Sequence, residues 1–164
     1  MTVAVIILAL VTLQRLGELV LARSNTRRLL ARGAVESGAE HYRFIVALHA
    51  AWLIGLWLLA WDRPVNLPLL LLFVLLQAGR VWVIATLGRR WTTRIITLPG
   101  ETLVRKGPFR FVSHPNYIVV AGELAVLPLV FGLPLYALVF TALNAVMMWV
   151  RIRCEQRALD AASA

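Results

Sequence analysis

Two short segments in the carboxyl-terminal part of the chain carry the side chains best suited to chemistry. The first, residues 107–117, sets the imidazole of His114, the amide of Asn116 and the phenol of Tyr117 close together. Pro115 favours a helix start here, because its missing N–H is no loss in a first helical turn. His114 and Tyr117 would then lie near one another, able to hydrogen-bond a polar ligand or to stack on a flat ring. An aromatic anchor at a membrane interface has the same spacing, so both interpretations stay open.

The second segment, residues 151–157, places Arg151 and Glu155 four positions apart on one predicted helix face. That spacing is also typical of an ordinary ion pair within a helix. Cys154 is the single cysteine of the chain, which excludes an intramolecular disulfide and a thiolate cluster. No histidine or carboxylate pair has metal-ligand spacing, so we expect no metal site.

The composition indicates that these segments are positioned by helices in a membrane. The chain has 164 residues, of which 60% are hydrophobic, and a net charge of +9. A soluble domain of this size could hardly bury so much apolar surface in one core. In a soluble chain the basic charge would suggest a nucleic-acid partner. Here the basic residues lie between apolar runs, so membrane orientation explains them better and no nucleic-acid partner is expected.

The apolar runs predict an all-α polytopic membrane protein with a single domain over residues 1–164. About 20 helical residues are needed to cross the hydrocarbon layer of roughly 30 Å. Five runs bounded by polar residues qualify, the last two forming a hairpin: 2–22, 44–61, 67–87, 115–131 and 133–155. The fourth is short, and whether it spans fully is left open.

Two polar segments connect these helices at one end of the predicted bundle. Residues 24–42 are expected to contain a short surface helix capped by Ser24 or Asn25 and ended near Gly33. Residues 88–114 form the longest segment outside the spans, with a β-prone run at 95–98, and are interpreted as a lid over a cytoplasmic site.

The positions of Lys and Arg predict the orientation, since positive loops stay in the cytoplasm. Only Arg63 falls on the side opposite to the three basic segments. Fourteen of the 17 basic residues fall in those segments: Arg23, Arg27, Arg28, Arg32 and Arg43; Arg89, Arg90, Arg94, Arg105, Lys106 and Arg110; Arg151, Arg153 and Arg157. The amino terminus is therefore predicted outside and the carboxyl terminus inside.

Four ionisable residues lie within the predicted spans, namely Arg15, Glu18, Arg80 and Glu123. A charge at the centre of a membrane helix costs about 2.5–3.5 kcal/mol, so each needs a partner or a function. Salt bridges between helices would account for two positive and two negative groups. Alternatively, Arg80 or Glu123 lines a polar cavity open to the cytosol.

Taken together, the two segments resemble the isoprenylcysteine carboxyl methyltransferase family of small membrane enzymes. The resemblance covers about residues 91–159. It is carried by Leu-Val at 103–104, Gly-Pro-Phe at 107–109, His-Pro-Asn-Tyr at 114–117 and Arg-Ile-Arg-Cys-Glu at 151–155. Leu-Pro-Gly at 98–100 and Glu-Leu at 123–124 are similar to a bacterial branch that methylates alkylpyrone-like and phenolic lipids.

The resemblance implies binding of S-adenosylmethionine in a pocket that faces the cytoplasm of a bacterial cell, in its inner membrane. Arg151 would bind the acceptor, and Arg151, Glu155 and His114 would be the catalytic residues. Residues implied to contact the cofactor are Glu101, Thr102, Leu103, Val104, Phe109, His114, Pro115, Asn116, Tyr117 and Glu155.

The implied activity is methyl transfer to an oxygen of a lipid-like acceptor, either a carboxylate, an enol or a phenol. Ser113, Val119 and Gln156 depart from residues that are common in the family, and Glu101 replaces a common His. These departures argue against a prenylcysteine substrate more than against methyl transfer. Two other classes stay open: a non-enzymatic membrane protein, such as a transporter subunit or helix-bundle partner, and a membrane reductase that uses NADPH. The acceptor and the oligomeric state are not predicted.

Overall fold

Over the residues that the structure describes, the protein is a bundle of five α-helices with a small two-stranded ribbon. The computed structural model describes the backbone of residues 2–102 and 104–163, and side chains as far as residue 158. The elements in chain order are α1 (Val3–Leu30), β1 (Val35–Ser37), α2 (Ala39–Ala60), α3 (Leu67–Leu87), β2 (Ile95–Thr97), α4 (Pro115–Val130) and α5 (Pro134–Ser163). Short 3₁₀ turns occupy Gly88–Arg90 and Gly107–Arg110. This architecture confirms the all-α polytopic membrane fold.

Four of the described helical segments are long and apolar enough to cross a membrane: Val3–Leu30, Ala39–Ala60, Leu67–Arg90 and Pro134–Ala158. The apolar helix α4 has 16 residues. At a rise of about 1.5 Å per residue it is roughly 24 Å long, somewhat shorter than the hydrocarbon layer. Many large apolar side chains of the long helices point outward, among them Leu10, Leu58, Leu71 and Leu138, as lipid-facing residues do.

Helix α1 is longer than the sequence predicted. The prediction of a separate surface helix within residues 24–42 is wrong. The helix continues through residues 23–30 because no helix-breaking residue interrupts it, and it ends before Gly33, whose φ is 87°. Asn25 is buried within the helix and does not cap it. Its Nδ2 atom donates to the backbone oxygens of Gly88, at 3.2 Å, and Trp91, at 2.8 Å. The amide therefore ties α1 to the start of the segment after α3.

The ribbon joins the two polar segments at one end of the bundle. Strands β1 and β2 are antiparallel, with Glu36 opposite Ile96. Arg94 donates from Nη1 to both carboxylate oxygens of Glu36, at 2.9 and 3.0 Å. Since two strands alone are marginal in water, packing against α5 stabilises the ribbon.

The four charged residues that lie within the predicted spans, Arg15, Glu18, Arg80 and Glu123, form one network that joins α1, α3 and α4. Arg80 binds both oxygens of Glu18, at 2.5 and 2.6 Å, and donates to Glu123 at 3.0 Å. Arg15 bridges the same two carboxylates, at 3.0 Å to Glu18 and 2.7 Å to Glu123. Arg80 is 6% exposed and Glu123 is fully buried, so the salt-bridge interpretation is the one that the geometry supports. The two positive and two negative charges cancel, which reduces the cost of burying them in a low-dielectric environment.

Candidate active site

The start of α4 brings together His114 and Tyr117. His114 precedes the helix and Pro115 occupies its first turn, as the sequence predicts from the missing N–H of proline. One helical turn then aligns the two rings. Their centroids are 5.1 Å apart and their planes differ by 12°, which is a stacked arrangement.

Helix α5 supplies Arg151 and Glu155 to the same place. The hydroxyl of Tyr117 donates to Oε2 of Glu155 and accepts from Nε of Arg151, the latter at 2.9 Å. Nδ1 of His114 lies 3.8 Å from the same carboxylate oxygen. The structure thus gathers all three residues that the resemblance names as catalytic, with Tyr117 between them.

The Tyr117 hydroxyl replaces the ion pair that the spacing of Arg151 and Glu155 suggested. The described contacts contain no direct ion pair between these two side chains, although they are four residues apart on one helix. A phenol can donate one hydrogen bond and accept others, so it can join a cation to a carboxylate. The guanidinium carbon of Arg151 also lies 5.6 Å from the centre of the Tyr117 ring. The resulting site presents a positive group, a negative group and a flat ring side by side.

Asn116, the residue before Tyr117 in the first turn of α4, carries a buried acceptor. Its Oδ1 atom is shielded from solvent and has no hydrogen-bond partner among the described residues. An unpaired buried oxygen costs free energy, so a ligand that donates to it would be favoured. Pro115, which precedes it, is buried against the bundle.

The other described residues that are implied to contact the cofactor make their contacts elsewhere. Glu101 pairs with Arg32, at 3.4 Å, and with Arg90, at 3.1 Å. Phe109 packs against a small buried cluster of Ala22, Val83 and Trp91. We call His114, Tyr117, Arg151 and Glu155 the Tyr117 group. None of the described contacts of Glu101 and Phe109 reaches it.

Thr102 and Val104 line a basic cavity of about 350 Å³ at the end of α3. Arg90, Arg105 and Lys106 supply its positive charge. Leu103 lies outside the described residues.

Sequence reasoning missed a second set of residues, which lines a small cavity on another side of Arg151. These residues come from the ribbon and the residues next to it, the first turns of α2 and the carboxyl-terminal half of α5: Glu36, Ser37, Gly38, His41, Tyr42, Ile45, Arg94, Ile95 and Cys154. They are far apart in sequence, so no local motif connects them. The one available signal was Ser37-Gly38 before an apolar run, which favours a helix start.

The comparisons with known proteins bear on this geometry. The model of the isoprenylcysteine carboxyl methyltransferase (ICMT) family matches residues 69–161, more than half of the chain. The chain belongs to that family. All four residues of the Tyr117 group fall within the match, and the family places the protein among membrane methyltransferases.

Two relatives are similar over most of the chain. The uncharacterized protein YpbQ of Bacillus subtilis is 36% identical over 160 residues, which cover 94% of this chain and 95% of the relative. An uncharacterized protein of Haemophilus influenzae is 26% identical over 148 residues, or 83% of each chain. No solved structure matches.

Proposed function

We propose that this ICMT-family protein transfers a methyl group from S-adenosylmethionine to an oxygen of a lipid-like acceptor at the cytoplasmic membrane face. The observation that carries the proposal is the Tyr117 hydroxyl, held between Arg151 and Glu155 with His114 stacked on the ring. The group lies where an embedded bundle meets its polar loops. A lipid acceptor could therefore enter sideways, while a water-soluble methyl donor arrives from the cytosol.

The residues around Tyr117 fit the chemistry of the proposed cofactor. S-adenosylmethionine supplies an activated methyl group on a positively charged sulfur. The Glu155 carboxylate suits its ammonium group or ribose hydroxyls, and the unpaired Asn116 oxygen suits an N–H donor. The proposal does not depend on Thr102, Val104 or Phe109, whose described contacts lie elsewhere.

Alignment is the main task left to the protein. Holding two reactants in line can supply on the order of 7 kcal/mol or more of the barrier. Arg151 would favour an anionic acceptor oxygen electrostatically, as arginine suits planar oxyanions. His114 would serve instead as a general base if the acceptor were a neutral phenol or enol, because an imidazole nitrogen can accept a proton.

The direct test is thermal unfolding of the detergent-purified protein with S-adenosylhomocysteine. A ligand that binds only the native state stabilises it, by about 2.7 kcal/mol at a hundredfold excess over its dissociation constant. We expect stabilisation of the wild type and of Glu40→Gln, in which an exposed carboxylate of α2 is changed. Glu155→Gln should lose most of it. The absence of any shift with the wild type would refute cofactor binding, and a shift with NADPH alone would favour the reductase alternative.

The acceptor can be found in the lipids of the native organism. Mass spectrometry of lipid extracts from cells with and without the gene should reveal a species that differs by one methylene unit. Unchanged turnover in Arg151→Ala with that acceptor would remove the role given to Arg151.

A further inference from the structure

The basic cavity at the end of α3 takes no part in the proposed reaction, and its charge is of one sign. Arg90, Arg105 and Lys106 line it, and no acidic side chain among the described residues does. Its volume of about 350 Å³ falls in the range of roughly 300–1,000 Å³ that is usual for small-molecule sites. The cavity therefore has room for a charged group together with part of the molecule that carries it.

Two of the three positive charges in this cavity are available to a ligand. Arg90 is engaged, since it pairs with Glu101 at 3.1 Å and donates to the backbone oxygen of Thr102 at 2.9 Å. Arg105 and Lys106 are exposed, and neither forms a hydrogen bond or an ion pair with a described residue. Neighbouring cations repel each other, so an anion between them would be stabilised. S-adenosylmethionine, whose sulfonium and ammonium groups give it a net positive charge, is disfavoured here.

The cavity lies where α3 reaches the end of its apolar span. Thr86 and Leu87, in the last turn of α3, form part of its lining. One turn earlier, Trp82 is 51% exposed, and its backbone oxygen accepts from the Thr86 hydroxyl at 2.8 Å. Exposed tryptophan near the end of a membrane helix is typical of the interface between lipid and water. A ligand in the cavity would therefore lie at the level of the lipid head groups.

The positive charges reach the cavity from two segments that one close contact holds together. Gly107, which directly follows Lys106, has a φ of 57°, and a Cβ atom there would lie 2.5 Å from the hydroxyl oxygen of Thr86. This close approach brings Arg105 and Lys106 to the end of α3, where Arg90 lies. An anion bound among them would tie the segment after β2 to α3.

We propose that the basic cavity binds the phosphate of an anionic membrane phospholipid, with Arg105 and Lys106 as its charged ligands. The acyl chains of this lipid lie along the exposed apolar surface of α3, beside Val81 and Trp82. A zwitterionic head group would bring its own ammonium group among three cations, so it binds less well. The site is separate from methyl transfer, since none of its lining residues belongs to the Tyr117 group.

The test compares three probes: dihexanoyl phosphatidylglycerol, dihexanoyl phosphatidylcholine and inorganic phosphate. Binding to the detergent-purified full chain is measured by thermal unfolding. Phosphatidylglycerol should bind at least about tenfold more tightly than phosphatidylcholine, because two unpaired cations near a membrane surface favour an anionic head group. Equal binding of the two lipids would overturn the proposal. Inorganic phosphate should bind more weakly than phosphatidylglycerol, and equal binding would make the ligand a soluble phosphate instead of a lipid.

A double variant, Arg105→Gln with Lys106→Gln, should bring the affinities for the two lipids to within about twofold of each other. The matched control is Arg27→Gln with Arg28→Gln, which removes the same charge from exposed residues in the last turn of α1, outside the cavity lining. The control should keep the preference for phosphatidylglycerol. The same loss in both double variants would show that diffuse surface charge, and not the cavity, attracts the lipid.

Stabilisation by S-adenosylhomocysteine should be unchanged in the Arg105→Gln, Lys106→Gln variant. Its loss there would place the cofactor in the basic cavity and overturn the proposal. If S-adenosylhomocysteine fails to stabilise the wild type while phosphatidylglycerol does, the proposed function fails and the lipid site stands. The two failures can therefore be told apart.

Discussion

The hydroxyl of Tyr117 contacts both charged residues that α5 contributes to the proposed site. It accepts from Arg151 and donates to Glu155, while its ring stacks on His114. The His-Pro-Asn-Tyr motif made this residue a candidate from sequence. Its position between Arg151 and Glu155 follows from the packing of α4 on α5, which the motif does not encode.

Tyr117→Phe should lower the rate of methyl transfer by about 10- to 100-fold. The ring stays in place, but the hydrogen bonds to two charged groups are lost, and such bonds contribute about 1.5–3 kcal/mol each. Tyr136→Phe is the control, since its hydroxyl donates to the backbone oxygen of Trp52, at 2.8 Å, away from the site. Initial rates with a radiolabelled methyl donor check the pair, and equal rates would contradict the role of the hydroxyl.

Two buried asparagines allow a matched test of stability. Asn144 is 1% exposed and neither of its amide atoms has a partner among the described residues, whereas Asn25 bonds to two backbone oxygens. Asn144→Leu should raise the free energy of unfolding by about 1–3 kcal/mol, because an unpaired amide is removed. Asn25→Leu should lower it by a similar amount. Chemical unfolding in detergent measures both, and destabilisation by Asn144→Leu would indicate an unseen partner of the amide.

At the scale of elements, α4 is the short helix on which the site depends. Gly122 lets Leu76 of α3 approach closely, since a Cβ atom there would lie 2.9 Å from a Leu76 methyl group. The next residue, Glu123, enters the charge network with Arg15 and Arg80. The sequence indicated that the four charges needed partners. It could not pair them, because residues over a hundred positions apart meet only once the helices are arranged.

Glu123→Leu should lower the free energy of unfolding by about 3–5 kcal/mol, since it leaves buried positive charge without compensation. Adding Arg80→Leu restores the balance with Arg15 and Glu18, so the double variant should lose less than the sum of the two single variants. Glu40→Leu, at an exposed position, should change the value by no more than about 0.5 kcal/mol. If the losses of stability in the two single variants add up to the loss in the double variant, as measured by thermal unfolding, the four charges do not act as one network.

At the scale of the whole molecule, the distribution of basic residues predicts the orientation in the membrane. The basic residues at the carboxyl-terminal ends of α1 and α3 and in the carboxyl-terminal part of α5 lie on the same side of the bundle as the Tyr117 group. The positive-inside rule predicts that this side faces the cytoplasm. A methyl donor made in the cytosol could reach the group only with this orientation.

Labelling with a membrane-impermeant maleimide tests the orientation. In a Cys154→Ala background, Arg63→Cys should react in intact cells, and Arg105→Cys should react only after permeabilisation. The reverse pattern would place the Tyr117 group outside and contradict the proposed use of S-adenosylmethionine.

The sequence by itself determined the membrane class, the number of helices and the family, since hydropathy and short motifs are local properties that survive without tertiary contacts. The bounds of α3 and the start of α4 followed from such signals, as did the candidacy of His114, Arg151 and Glu155. The tertiary structure decided how α1 continues, which charges pair, and that Tyr117 joins Arg151 to Glu155. It also decided that His41 and Arg151 line the same small cavity. These features depend on distances between separate helices, and helix packing sets those distances.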